Sequence, residues 1–446
     1  MAIEQTGKLK MPPGGKLPAE TLAAVRRWID LGAPWTDATP KVAPSWNYAP
    51  QDVWEFQHLR HDLVPTGGID ASQVQTPVDA FILQKLKGKG LRLAARANRV
   101  ELLRRATFDL TGLPPTPREV EAFVKDRASD QEAFRKVVDR LLASQRYGER
   151  WGRHWLDVVR YADSGGYSND FERPHAWRYR DYVIRSFNDD KPYNEFIREQ
   201  IAGDEIDPAN PENLVATGFL RMGPWEQTAM SVAAETRQAW LDDVTHSTAT
   251  TFLGLTMECA RCHDHKFDPL PTKDYDSLQA IFATTEFAER PAPFLPGEAR
   301  PDFATGRARV AQLLAMAKSK LAGYDALVKQ RLVKKIGAAS ISDIPADVVQ
   351  KALKKKELLT PQEMERMKVY AKRRELYARS IKRYDPLAYS VSDGPWQEKD
   401  KAGWQPPDTF ILPVGNLKTP GVKVVPAVLS AVSKYDQPAY SAIPMT

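Results

Sequence analysis

Apolar residues recur every three to four positions through most of the chain, the period of helices with one buried face. Leu17, Leu22, Val25, Trp28 and Ile29 make one such stripe near the front; Val78, Phe81, Ile82 and Leu86 make another; Phe134, Val138, Leu141 and Leu142 a third. Starts and stops are written between them. Pro114 and Pro115 end one helix, and Thr116-Pro117-Arg118-Glu119 opens the next as a capping box with proline at the first helical position. Ser129–Glu132 and Thr360–Glu363 repeat that signature. Further helices are predicted over 149–163, 174–201 and 233–254. Val310, Leu314, Ala317, Leu321, Tyr324 and Val328 step by four and three, a heptad seam. Met364, Met367, Ala371, Arg374, Tyr377 and Ile381 step similarly, with one polar break, so the two runs predict an antiparallel hairpin. No strand–helix–strand alternation is found. The fold class is mainly α: an irregular helical domain with long Pro-rich connections and a helical hairpin arm. Five segments result: a front piece over 1–36, an extended linker over 37–76, a helical domain over 77–300, the hairpin over 301–385, and a Pro-rich tail over 386–446 with a strand-like run at 409–412.

Composition sharpens this in two places. The net charge of +6 is uneven: between Arg307 and Arg383 there are 20 Lys/Arg against 7 Asp/Glu, a balance of +13, which leaves −7 for the rest. The basic character therefore belongs to the hairpin and does not mark the whole protein for nucleic acid; the hairpin reads as a solvated charged arm or as a surface for an anionic polysaccharide. No run of 18 apolar residues predicts a membrane span, and the N-terminus lacks the apolar stretch of a secretory signal.

The chemistry concentrates at Cys259-Ala-Arg-Cys262-His263, which holds both cysteines of the chain. Cys-x-x-Cys-His is the signature of c-type haem attachment. Residues three apart share a face of a helical turn, so both sulfurs can reach the two vinyl groups of one porphyrin, with His263 as proximal iron ligand. Competing readings are structural zinc on Cys259, Cys262, His263 or His265, a thioredoxin-like redox pair, and a plain disulfide or idle thiols. For a second axial ligand, His154 between Trp151 and Trp155 is the candidate, as a buried imidazole on an aromatic helix; a core histidine is the plain alternative. His246, Met257 and Met222 rank lower. His265 is expected to hydrogen-bond locally or at a haem propionate, while His58, His61 and His175 lie in polar or turn-rich stretches and read as surface groups. Asp264 or Asp268 could accept the second imidazole proton of His263, or pair with Arg261 or Lys266. One of Arg150, Arg153 and Arg160 could clamp a propionate, while Arg153 at i, i+4 could simply pair with Asp157 on the helix.

Four segments, PVDAFILQKLKGKGL, FDLTGLPPTPREVEAF, ERWGRHWLDVVRYADS and CARCHDHKFDPLPTKDYDSLQAIF, resemble in this order the planctomycete-type cytochrome c associated proteins, large secreted proteins of unknown biochemical role, over about residues 45–290. LKMPPGGKLPAETLAAVRRWIDLGAPW resembles the end of the small cytochrome c domain that precedes this region in the family, where the Met before Pro-Pro is an axial ligand; that role would fall on Met11. The resemblance implies a chain truncated at both ends, a signal lost with the front, and an extracytoplasmic address, periplasmic or cell-surface. It supplies no reaction. Three functions follow as expectations: electron transfer through covalent haem c with an unidentified redox partner, haem-dependent oxidoreductase or peroxidase-like chemistry, and a non-haem structural or polysaccharide-binding scaffold.

Overall fold

The computed structural model describes residues 15–32, 63–167, 170–226, 232–298, 301–395 and 403–431, together with Glu4, Thr6 and Gln57. The architecture is mainly helical, as the periodicity predicts. A short helix α1 (Ala19–Asp30) buries only Leu22. Helices α2 (Pro77–Gly88), α3 (Arg99–Thr111), α4 (Pro117–Lys125), α5 (Asp130–Leu142) and α6 (Gln145–Val158) follow in close succession. The starts obey their caps. Thr116 Oγ1 accepts from the Glu119 backbone N–H while the Glu119 carboxylate accepts from the Thr116 N–H, so two otherwise orphaned donors are satisfied reciprocally.

The buried faces sit one position away from two of the apolar stripes. On α5 the inward residues are Ala133, Val137 and Leu141, which pack with Leu103 and Phe123, while Leu142 is exposed. On α2 the inward residues are Ala80 and Leu83, and Val78, Phe81 and Ile82 face outward. Large side chains dominated the periodic reading; small ones allow the closer helix approach.

The main core lies further along, between α7 (Ala176–Asn188), α8 (Tyr193–Ile206), α9 (Pro211–Ala216), α10 (Ala233–Thr248) and a two-stranded sheet. Tyr179, Tyr182, Val183, Phe219, Trp240 and Val244 are essentially inaccessible there. The sheet pairs β1 (Thr285–Pro291) antiparallel with β2 (Leu387–Asp393), from Thr285 opposite Asp393 to Pro291 opposite Leu387. The hairpin is therefore an insertion between two paired strands, and the residues just after 386 return to the core. It comprises α12 (Pro301–Ile336), α13 (Ala346–Lys355) and α14 (Pro361–Ser380). Its predicted seam holds: Ala317 and Val328 are buried and Val310, Leu314, Leu321 and Tyr324 half-buried, whereas Arg374 is exposed at its polar break. At the root, Phe303 packs edge-on to Tyr384 and Phe294, with Trp177 beside them.

His175 corrects the surface assignment. It is 2% exposed, its Nδ1 lies 2.9 Å from Glu289 Oε2, and its Nε2 lies 2.6 Å from the Lys382 carbonyl. It joins helix α7 to strand β1 and to the returning leg of the hairpin, contacts 114 and 207 residues away in sequence. His58 and His61 lie outside the described residues. Among the described residues no helix is long and apolar enough to cross a membrane.

Candidate functional site

The turn that carries both cysteines is built by how α10 ends. The helix widens into a π-turn over Ala249–Leu253 and stops at Gly254, whose φ of +66° is the left-handed conformation that favours glycine. Leu255 N–H then donates back to the Ala249 carbonyl at 3.2 Å and reverses the chain. A short 3₁₀ turn, Glu258–Arg261, follows at once. Met257 and Ala260, three apart, point inward and are fully buried with Ala249, Leu270, Tyr275, Leu278 and, from the tail, Leu429. Cys259 and Cys262, also three apart, are exposed, and both thiols are free. One periodicity thus sorts the motif into an apolar inner face and a sulfur-bearing outer face. The Cys262 and His263 N–H groups both donate to the Cys259 carbonyl, at 3.3 and 3.4 Å, and hold that geometry.

His263 is exposed, and its Nδ1 donates to the Asp264 carbonyl at 2.8 Å. That bond fixes the tautomer and leaves Nε2 as the lone-pair nitrogen. The acceptor is thus the backbone of Asp264 and neither of the carboxylates considered from sequence. The Asp264 carboxylate instead accepts from Thr272 N–H at 2.9 Å, at the start of α11 (Thr272–Ala280), and the Asp268 carboxylate stands 3.2 Å from His265. His265 is buried and accepts from the Asp268 N–H at 2.9 Å, the local bonding expected of it. Arg261 pairs with Asp242 of α10 at 3.1 Å.

The other ligand candidates are exposed elsewhere, packed away or turned to another face. His154 is exposed on α6, edge-on to Trp151 at 5.6 Å, rather than buried as an aromatic helix suggested; Trp155 instead turns inward to Gln200 and Phe196. Met257 and Met222 are consumed by packing, and Met11 lies outside the described residues. Arg160 is ion-paired to Asp243. His246 lines a cleft of about 400 Å³ with Glu235, Asp242, Asp243, Glu258 and Arg261. Glu258 and Arg261 are one position before each cysteine, so this acidic cleft opens on a different face of the turn from the sulfurs. Among the described residues no three His, Cys, Asp or Glu side chains converge as a metal cage.

The tail completes the site, a role its Pro-rich composition did not reveal. Asp274 accepts from the Ser430 N–H and hydroxyl, both at 2.7 Å, and the Ala427 N–H donates to the Ser277 carbonyl. Two short strands, β3 (Thr409–Phe410) and β4 (Lys423–Val424), shape the segment, and Gly415 brings its backbone against Cys262. A Cβ at Gly415 would come within 3.1 Å of Cys262 Sγ, and its φ of +69° again favours glycine.

Residues 77–287 match PSCyt2, a protein of unknown function (DUF1549). PSCyt2 is a planctomycete cytochrome c-associated domain. The PSCyt2 segment runs from α2 into β1, so it includes the cysteine turn and excludes the hairpin and the tail that packs on the turn. No curated protein and no solved structure matches the chain.

Asp276 of α11, beside Leu412 of the tail, gives the site a pH dependence. Burial pushes its carboxyl up to about 7, against the Leu412 N–H bond that lowers it, and the nearby Asp242 charge raises it further. A carboxyl whose folded value lies above its ordinary one binds a proton on folding. Its stabilising contribution is therefore complete at acid pH and is lost as pH rises from about 4 through about 7. Asp276→Asn, neutral throughout, is expected to be more stable than the parent at pH 8 by about 2 kcal/mol, half of the full linkage value, and not at pH 4. Urea unfolding at the two pH values checks this; an unchanged difference between them would refute it.

Proposed function

We propose that the Cys259–His263 turn carries a covalently attached haem and that the domain passes electrons through it. The observation that carries this reading is the sorting of the motif: two free thiols on one exposed face, followed by an imidazole whose Nδ1–H is tied to a carbonyl and whose Nε2 is left to bind iron. Gly415 adds a second fit, since a Cβ there would crowd Cys262 Sγ at 3.1 Å and its φ of +69° favours glycine. Each thiol adds its sulfur and its hydrogen across one vinyl C=C, so two thioethers form without a leaving group or an oxidant. When bound, the haem supplies a one-electron ferric–ferrous couple. The protein's part is to hold Cys259, Cys262 and His263 in register, and to keep the acidic cleft on the neighbouring face of the turn. The proposed address is extracytoplasmic, where c-type attachment takes place; the redox partner is left open.

The test is the full chain matured with a haem-attachment system. A Soret band, and a haem-stained band that survives denaturing electrophoresis, are expected. A polypeptide mass without an added porphyrin from such material would end the proposal.

A further inference from the structure

We infer that one face of the hairpin is a binding strip for an acidic polysaccharide, a reading independent of the haem. The half of the hairpin near its root, residues 307–324 of α12 against 364–383, holds 12 Lys/Arg and 2 Asp/Glu. These cations divide between two faces of the pair. At about 100° per residue, Arg309 and Lys320 stand on one flank of the α12 seam, and Arg307 and Lys318 on the other. On α14, Arg366 and Arg373 share one flank, while Lys368, Lys372 and Arg379 share the opposite one. Antiparallel pairing brings the Arg309–Lys320 flank beside the Arg366–Arg373 flank. The Arg331–Glu363 pair at 2.6 Å fixes this register, because Arg331 continues the first flank and Glu363 the second.

The two faces then differ in kind. Both acids of this stretch, Glu365 and Glu375, fall toward the lysine side, where Glu365 is bonded to Lys368 at 2.7 Å. Arg309, Lys320, Arg366 and Arg373 are all exposed, and none has a carboxylate partner among the described residues. Between them lie the half-buried rings of Tyr370, with Arg373 5.8 Å over it, and Tyr377. Arginine forks suit sulfate and carboxylate, and ring faces suit the C–H faces of sugars.

Spacing and polarity favour polysaccharide over the other polyanions. The strip spans about 24 Å at 1.5 Å per residue, so its four cations stand about 8 Å apart on average. Duplex nucleic acid carries one charge per about 1.7 Å, whereas a chain with roughly one charge per sugar matches the sparser row. A membrane surface asks for a wide apolar face turned outward, whereas the apolar residues exposed beside this stretch, Met316, Val369 and Leu376, stand singly among charged side chains.

The experiment measures binding of the full chain to dextran sulfate and to polygalacturonate at about 0.1 M salt, where screening acts beyond about 10 Å. Arg309→Gln with Arg366→Gln and Arg373→Gln is compared with Lys318→Gln, Lys368→Gln and Lys372→Gln, which removes the same charge from the other face. The first set is expected to weaken binding to at least one of the two polymers about tenfold, and the second less than about threefold. Equal losses from both sets would mean general charge attraction and overturn the proposal, as would no binding to either polymer. Tighter binding to duplex DNA or to anionic phospholipid vesicles than to both polysaccharides would also overturn it.

Discussion

Changing Cys259→Ala together with Cys262→Ala is expected to abolish covalent haem and leave the folded domain intact. Both sulfurs are exposed and outside the small core beneath the turn, which is made by Met257, Ala260, Leu270, Tyr275, Leu278 and Leu429. Removing two surface thiols is therefore a change of about 0.5 kcal/mol or less in stability, while the thioether bonds lose their only possible donors, since the chain has two cysteines. Haem staining after denaturing electrophoresis reads the loss, and an unchanged urea midpoint shows that the fold is kept. A stained band equal to that of the parent protein rules the assignment out. His263→Ala separates attachment from ligation. It keeps both thioethers but removes the lone-pair nitrogen held ready by the Asp264 carbonyl, so staining persists while the reduced spectrum changes spin state.

Signals written within a few residues were legible in sequence. The capping boxes at Thr116 and Thr360 and the heptad seam of α12 all appear in the structure where local chemistry puts them. So does the sorting of the cysteine motif, because residues three apart share a face whatever surrounds them. What depended on distant partners was hidden. His175 looked like a surface group because its burial comes from Glu289 and Lys382. His154 looked buried because its neighbours in sequence are tryptophans, yet both tryptophans are half-buried while His154 between them is exposed. The tail read as a Pro-rich connection, although Leu429, Ser430 and Gly415 make it the far wall of the cysteine turn. Strand β2 was missed for a similar reason: a seven-residue strand whose one partner lies about a hundred residues earlier has no local signature.

The largest loss of stability is expected from Arg178→Met. Arg178 is fully buried on α7 and spends its whole guanidinium on the roots of the hairpin insertion. Nη2 donates to Glu298 Oε2 at 2.7 Å and to the Pro293 carbonyl at 3.0 Å, while Nη1 donates to the carbonyls of Ala292 at 2.8 Å and Leu387 at 3.1 Å. The outgoing leg at 292–298 and the returning leg at 387 are thus held by one side chain. Methionine fills a similar volume but donates nothing. Glu298, 5% exposed, would keep only the Leu295 N–H and a distant Arg185 at 3.5 Å, and the buried Ala292 carbonyl and the part-buried Pro293 and Leu387 carbonyls would lose this donor. Breaking a buried pair from one side costs about 3–5 kcal/mol, mostly because the remaining charge stays buried. Arg178→Met combined with Glu298→Gln removes that charge too, and should therefore cost less than the single change. Urea midpoints of the two variants decide the matter, with limited proteolysis at 292–298 reporting whether the hairpin root has loosened. A single variant within about 1 kcal/mol of the parent would mean that the aromatic cluster of Trp177, Phe294, Phe303 and Tyr384 holds the root without it. A double variant as damaged as the single would place the cost in the orphaned carbonyls instead of the Glu298 charge.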